Sequence, residues 1–129
     1  MSKEEQLLDA AGDGDLSVVK QLAADTTLDV NRQVPEGGYT PFNYACQEGR
    51  VSVVEFLLTL TTINENKPAN NGATPFYVAC YEGHEEVVSL LLNDTRIDMN
   101  QPQNDGGSPF FVACYKVTKK WYHCSSLTQ

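Results

Sequence analysis

Two stretches of the chain place apolar residues three and four apart: Val53, Val54, Leu57 and Leu58 in one, Val87, Val88, Leu91 and Leu92 in the other. That spacing gathers them on one face of a helix. Ahead of each stretch lies a second apolar segment, "TPFNYACQEG" from Thr40 and "TPFYVACYEG" from Thr74. Threonine offers an N-cap oxygen, and proline suits the first helical position because the N–H there has no intrahelical partner. A helix is therefore predicted to start at each Thr-Pro. Gly49 and Gly83 predict its end, since glycine takes the left-handed conformation that closes helices and is a poor helix former. The pattern reads as a short helix, a tight turn and a second helix, written twice.

The step from Thr40 to Thr74 equals the step from Thr74 to Ser108, and "SPFFVACYK" from Ser108 begins the pattern a third time. Pro41 matches Pro75, Ala45 and Cys46 match Ala79 and Cys80, and Gly49 matches Gly83. An earlier, weaker copy holds Ala10, Ala11, Gly14, Val18, Val19, Leu22 and "LDVN", with a step to the next copy that is longer by one. The linking segments "TTINENKPANNGA" and "TRIDMNQPQNDGG" are dense in Asn, Asp, Gly and Pro, which favour turns, so hairpin-like loops are expected there. A two-helix unit of this size cannot bury its apolar face alone. Neighbouring copies must stack and share one core.

The segment "NGATPFYVACYEGHEEVVSLLLNDTRIDMN" resembles an ankyrin repeat, whose pattern runs from a glycine and Thr-Pro-Leu-His through Gly-His and a Val-Val/Leu-Leu helix to a terminal Asp-Val-Asn. The resemblance implies an all-α ankyrin-repeat solenoid of helix-turn-helix units joined by hairpin-like loops. Its expected parts are a capping repeat over residues 1–35, full repeats over 36–69 and 70–103, and a partial repeat over 104–129. Three departures stand out. The family's leucine is Phe42, Phe76 or Phe110, which enlarges a core contact. Its histidine is replaced by Asn43, Tyr77 and Phe111, so the usual histidine hydrogen bonds are not expected to carry over. Each unit also has one residue more than the usual repeat, between the Leu-Leu pair and the following Asn, for which only a longer helix end or loop is expected.

With 129 residues, 41% hydrophobic and 20% charged, the chain has the composition of one folded domain. Its longest apolar runs fall well short of the roughly 20 residues of a membrane-spanning helix, so no membrane association is expected. The opening "MSKEEQLLDAAGDGD" has no apolar stretch of signal-peptide length, and a cytoplasmic or nuclear address is expected. The net charge is −8, and acids outnumber bases seven to two between Met1 and Val30. A nucleic-acid surface needs a basic stripe, so no nucleic-acid partner is expected. Beyond Asp105 the chain carries Lys116, Lys119 and Lys120 and no acid.

Cys46, Cys80 and Cys114 occupy one equivalent position in successive copies. Stacked units hold such positions about one helix diameter apart, roughly 10 Å, beyond the ~7 Å reach of a disulfide. No close Cys or His pair offers zinc spacing, so these are expected to be small core residues and no metal or cofactor is expected. Cys124, beside His123, lies outside the repeat and is the one candidate reactive thiol. His84 stands at the turn, where a bond to backbone is expected. No phosphate loop, dinucleotide loop or zinc-protease motif is present, and no enzyme is expected.

What remains is a surface. In ankyrin proteins partners dock on the concave side formed by the loop tips and the first helices. Transferred by position, that side comprises Glu36, Gly37 and Tyr39 with Gln47 and Glu48, then Asn70, Asn71 and Ala73 with Tyr81 and Glu82. Asn104, Asp105 and Gly107 with Tyr115 and Lys116 complete it. Tyrosines supply large contact area with few rotatable bonds and are enriched at interface hot spots. The resemblance thus implies a module for an as yet unidentified protein partner. Alternatives are a homodimer through the incomplete C-terminal copy and an inhibitor that occludes a partner enzyme. In that last copy Val117 replaces the stop glycine, and two outcomes compete: an extended helix capping the stack with Trp121, or a frayed end that exposes an apolar patch.

Overall fold

The computed structural model describes residues 2–99. Within them six helices form three helix-turn-helix pairs: α1 (Lys3–Asp13) with α2 (Leu16–Ala23), α3 (Pro41–Gln47) with α4 (Val51–Leu58), and α5 (Pro75–Tyr81) with α6 (Glu85–Leu92). The starts are where capping chemistry puts them. Thr40 Oγ1 accepts from the Asn43 N–H and Thr74 Oγ1 from the Tyr77 N–H, both at 3.1 Å, and Ser2 does the same for Glu5. The stops repeat as closely. Gly14, Gly49 and Gly83 each take φ of 70–77°, and each is followed by a residue whose N–H returns to a carbonyl near the helix end: Asp15 to Ala10, Arg50 to Ala45, His84 to Ala79. These bonds satisfy helix-end carbonyls and turn the chain into the second helix.

First helices stack on first helices, α1 on α3 and α3 on α5, and second helices follow in the order α2, α4, α6. Between the layers runs one continuous core, in which Leu7, Phe42, Cys46 and Cys80 meet Val19, Val53, Leu57 and Leu91. The expected all-α solenoid is the observed fold. Cys114, Cys124 and the competing ends proposed for the final copy lie outside the described residues.

The linking loops add directional bonds to this apolar packing. In the first, Val34 N–H donates to Tyr39 and Gly38 N–H to Val34; in the second, Ala69 N–H donates to Ala73 and Gly72 N–H to Ala69. Both are hairpin-like, as expected. The first contains one residue more, with Gly37 and Gly38 both at positive φ where the second loop has Gly72 alone. That insertion is why the step from the first copy to the second exceeds the later ones by one. Asn70 N–H donates to Gly37 O across the two loops at 2.9 Å.

Ahead of "IDMN" and its counterparts the three described units share a turn, closed by Leu28 N–H on Asp25, Ile63 on Leu60 and Ile97 on Asp94. Beyond this turn an asparagine braces the next unit. Asn31 Nδ2 donates to Thr62 O and its Oδ1 accepts from Asn64 N–H, both at 2.7 Å; Asn66 repeats the pair with Arg96 O and Asp98 N–H. Only a carboxamide offers a donor and an acceptor so placed.

Leu91 is fully buried between the helix layers. Leu91→Ala is expected to cost about 2–5 kcal/mol through lost burial and the cavity left behind, and a short array shares such a loss among its neighbours. A shifted denaturant midpoint for the whole chain checks it; an unchanged midpoint would contradict the stacked core.

The N-terminal helix is tied to the loop after α2 by Lys3 Nζ on Asp25 Oδ2 at 2.9 Å, and Thr27 donates to the same carboxylate through both its N–H and its hydroxyl. The Lys3 bond, followed by those from Thr27, holds the Asp25 carboxyl well below its ordinary 3.8, and Asp25 raises Lys3 above 10.5. A lowered carboxyl pKa contributes stability that is present above the unfolded value and lost as pH falls through the native one. For a raised lysine the contribution is lost as pH rises through its native value. Asp25→Asn should therefore be less stable than the natural chain at neutral pH, with a gap that narrows progressively as pH falls below 3.8. Denaturant titrations at about pH 7 and about pH 2.5 test this, and a gap of equal size at both would exclude the ion pair as its origin.

Candidate partner-binding surface

On the side formed by the first helices and loop tips, a groove of about 750 Å³ opens between α1, residues 34–39 and α3. Glu5, Leu8 and Asp9 line it from α1, Val34, Pro35, Glu36 and Tyr39 from the first loop, and Tyr44 and Gln47 from α3. The two tyrosine rings lie 6.2 Å apart, tilted by 41°. Each rests against a glycine. A β-carbon on Gly12 would collide with the Tyr44 ring, and one on Gly37 would come within 2.6 Å of the Tyr39 ring. Gly12 lies inside α1, where glycine costs about 0.5–1 kcal/mol relative to alanine. Its presence there is explained by the ring it admits.

Farther along the same side, Tyr81 is 47% exposed and stacks on Tyr77, with centroids 5.9 Å apart at 22°. Glu36, Glu48, Asn70 and Glu82 flank these rings at the loop tips and helix ends; Glu36 and Glu82 are exposed, and Gln47 and Tyr39 are half-buried. The Asn71 carboxamide oxygen accepts from Ala73 N–H at 2.9 Å, so this side chain shapes its own turn. Asn70 packs over Gly38, where no side chain would fit. Ala73 is buried. Glu36, Tyr39 and Gln47 thus share the groove, whereas Tyr81 and Glu82 stand at the end of α5. Asn104, Asp105, Gly107, Tyr115 and Lys116 lie outside the described residues.

Tyr44 and Gly12 are absent from the sequence-based set. Tyr44 takes the position held by Val78 in the next copy and reads as core, while Gly12 takes that of Gln47 and reads as a weak helix residue. The usable signal was the pair: a ring gained in one copy opposite a side chain lost in its neighbour.

Lys3 pairs with Asp25, Arg32 with Glu4, and Arg96 with Asp94 and Glu65. Arg50 Nε donates to Gly12 O at 2.8 Å, Lys67 Nζ to Asn31 O at 3.1 Å, and Lys20 lies 5.8 Å from the Phe56 ring centre. Every cation among the described residues is thereby engaged. Exposed Glu5, Asp9 and Asp13 follow one another at four-residue spacing along α1 and form no ion pair among the described residues.

Cys46 and Cys80 are fully buried, and burial pushes both thiols up, Cys80 to about 12, so neither is a thiolate at neutral pH. His84 Nε2 donates to Gln47 O at 2.8 Å, the backbone bond expected of it. It does for α3 what Arg50 does for α1, reaching from the start of a second helix to the end of the preceding unit's first helix.

A family model described as ankyrin repeats, three copies, matches residues 7–103 and also residues 61–120. The chain belongs to the ankyrin-repeat family. Ankyrin repeats are in general protein–protein interaction modules. Comparison with curated proteins gave no significant match. At the family's histidine position in this ankyrin chain, buried Asn43 donates through Nδ2 to Ala73 O in the next unit at 3.1 Å, a bond between units made by a carboxamide. Asparagine serves because its amide is also a donor. Tyr77, in the same position one repeat later, instead turns its ring to Tyr81.

The glycine–ring contact predicts coupling between repeats. Gly12→Ala should gain about 0.5–1 kcal/mol of helix propensity in a Tyr44→Ala background but give no such gain when Tyr44 is present. A double-mutant cycle on denaturant stability measures the difference, and additive effects would contradict the contact.

Proposed function

We propose that this ankyrin chain is a non-catalytic module that holds a partner protein across its loop tips and first-helix side. The observation that carries the reading is the exposed, acidic and tyrosine-bearing surface on that side, with Tyr81 as the large hydrophobic side chain most open to solvent among the described residues. An aromatic side chain left in water at a rigid helix end has much to gain from a partner. Buried neutral thiols and a histidine bonded to backbone support binding without catalysis. No described helix is long and apolar enough to cross a membrane, and the proposed address is the cytoplasm or nucleus.

The test compares two double variants in affinity capture and direct titration of the captured partner. Tyr81→Ala with Glu82→Ala should lose about 2 kcal/mol or more of binding. Its stability should fall by no more than about 1 kcal/mol, the worth of the Tyr77 ring contact. Glu55→Ala with Ser89→Ala, exposed on α4 and α6, should bind as the natural chain does. The reverse pattern would move the docking side to the second helices.

A further inference from the structure

We propose that the groove between α1, residues 34–39 and α3 receives an arginine side chain from a basic segment of the partner. This inference rests on the protein-binding reading above and names the chemistry of one part of that surface. Three observations converge. The lining is aromatic in part, with Tyr39 and Tyr44, and both rings lie against glycines that leave room for nothing larger. The lining is also acidic, with exposed Glu5 and Asp9 from α1 and exposed Glu36 from the first loop. The chain's own described cations are all committed elsewhere, so none of them neutralises these carboxylates.

The charge on α1 is itself informative. Asp13 stands at the carboxyl end of the helix, whose last turn carries no base. A negative charge there opposes the helix dipole, so its placement does not serve helix stability. Glu5 and Asp9, which line the groove, and Asp13 four residues on instead form a negative strip along α1. The field of that strip selects a cation, and the rings select its shape.

An arginine satisfies both. Its guanidinium is planar, stacks on tyrosine faces and donates two parallel bonds to a carboxylate, whereas an ammonium is a compact and strongly hydrated point charge. Its methylene stem would lie along Leu8, Val34 and Pro35. A neutral apolar side chain would fill the same space but leave the carboxylates partly desolvated and uncompensated. An acidic one would add like-charge repulsion.

The test uses the full chain and a fluorescein-labelled peptide of alternating arginine and serine, followed by anisotropy, beside its citrulline counterpart, which keeps the shape and removes the charge. The arginine peptide should bind about tenfold tighter than the citrulline peptide, with the margin narrowing as salt rises. Tyr44→Leu should weaken arginine-peptide binding about fivefold through the lost ring, and Glu5→Gln with Asp9→Asn should do the same through the lost charges. Both carboxylates are exposed, so the charge variant tests the groove even if Tyr44→Leu proves unstable. Glu55→Gln with Glu86→Gln, exposed on the second helices, should leave binding unchanged. Equal losses from this control would reduce the effect to net charge and overturn the proposal. So would equal binding of the citrulline peptide, or dimers of the natural chain that Tyr44→Leu dissolves, which would give the groove to a second copy. Amide spectra of the labelled chain separate this inference from the broader reading. A leucine–serine peptide that shifts groove signals when the arginine peptide does not removes the inference alone. Peptides that shift only second-helix signals remove both.

Discussion

Everything in this molecule depends on a helix pair too small to bury its own apolar face. Two short helices, such as α3 with α4, leave Phe42, Cys46, Val53 and Leu57 to be covered from the neighbouring pair. Stability therefore resides in the contact between units, and each unit is ordered by the next. The short helices would be marginal alone, since isolated helices under about 12–15 residues rarely hold in water.

Apolar burial says little about the angle at which one unit meets another. That is set by polar side chains reaching across the junctions. Arg50 and His84 reach back to the ends of α1 and α3, Asn43 reaches forward to Ala73, and Asn31 and Asn66 brace the turns of the following units. These bonds have direction, and each satisfies a backbone group that the loops or helix ends would otherwise leave to water. The unit contacts are thus set by two kinds of force, a non-directional one in the core and a directional one at both rims.

The same economy accounts for the surface charge. The described cations serve as braces, their donors meeting carbonyls and carboxylates. Acids on the first-helix and loop-tip side, Glu5, Asp9 and Glu36, stand beside tyrosines that glycines have made room for. A surface with net charge of one sign and anchored aromatic rings is suited to recognition, since charge steers encounter and rigid rings supply contact area at little entropic cost.

Much of this was legible from the residues alone. Thr-Pro, Gly and the Val-Val/Leu-Leu spacing determine the helix pairs and their limits, because capping, left-handed turns and helical periodicity are local effects carried by residue type. The period determines stacking, since equivalent apolar faces need one another, and it places Cys46 and Cys80 in the core. The longer first step also stood in the sequence, although its cause, one residue more in the first loop, needed the loop bonds. What only the tertiary structure decided lies between units. Asn43 finds Ala73 and Tyr44 finds Gly12, and the groove exists because α1 and the first loop meet across α3. The partners in each pair belong to different repeats, nearly a full period apart along the chain, and no local preference of either partner encodes the other. They are fixed by the rise from one repeat to the next, a distance set by how buried side chains fill the space between helices.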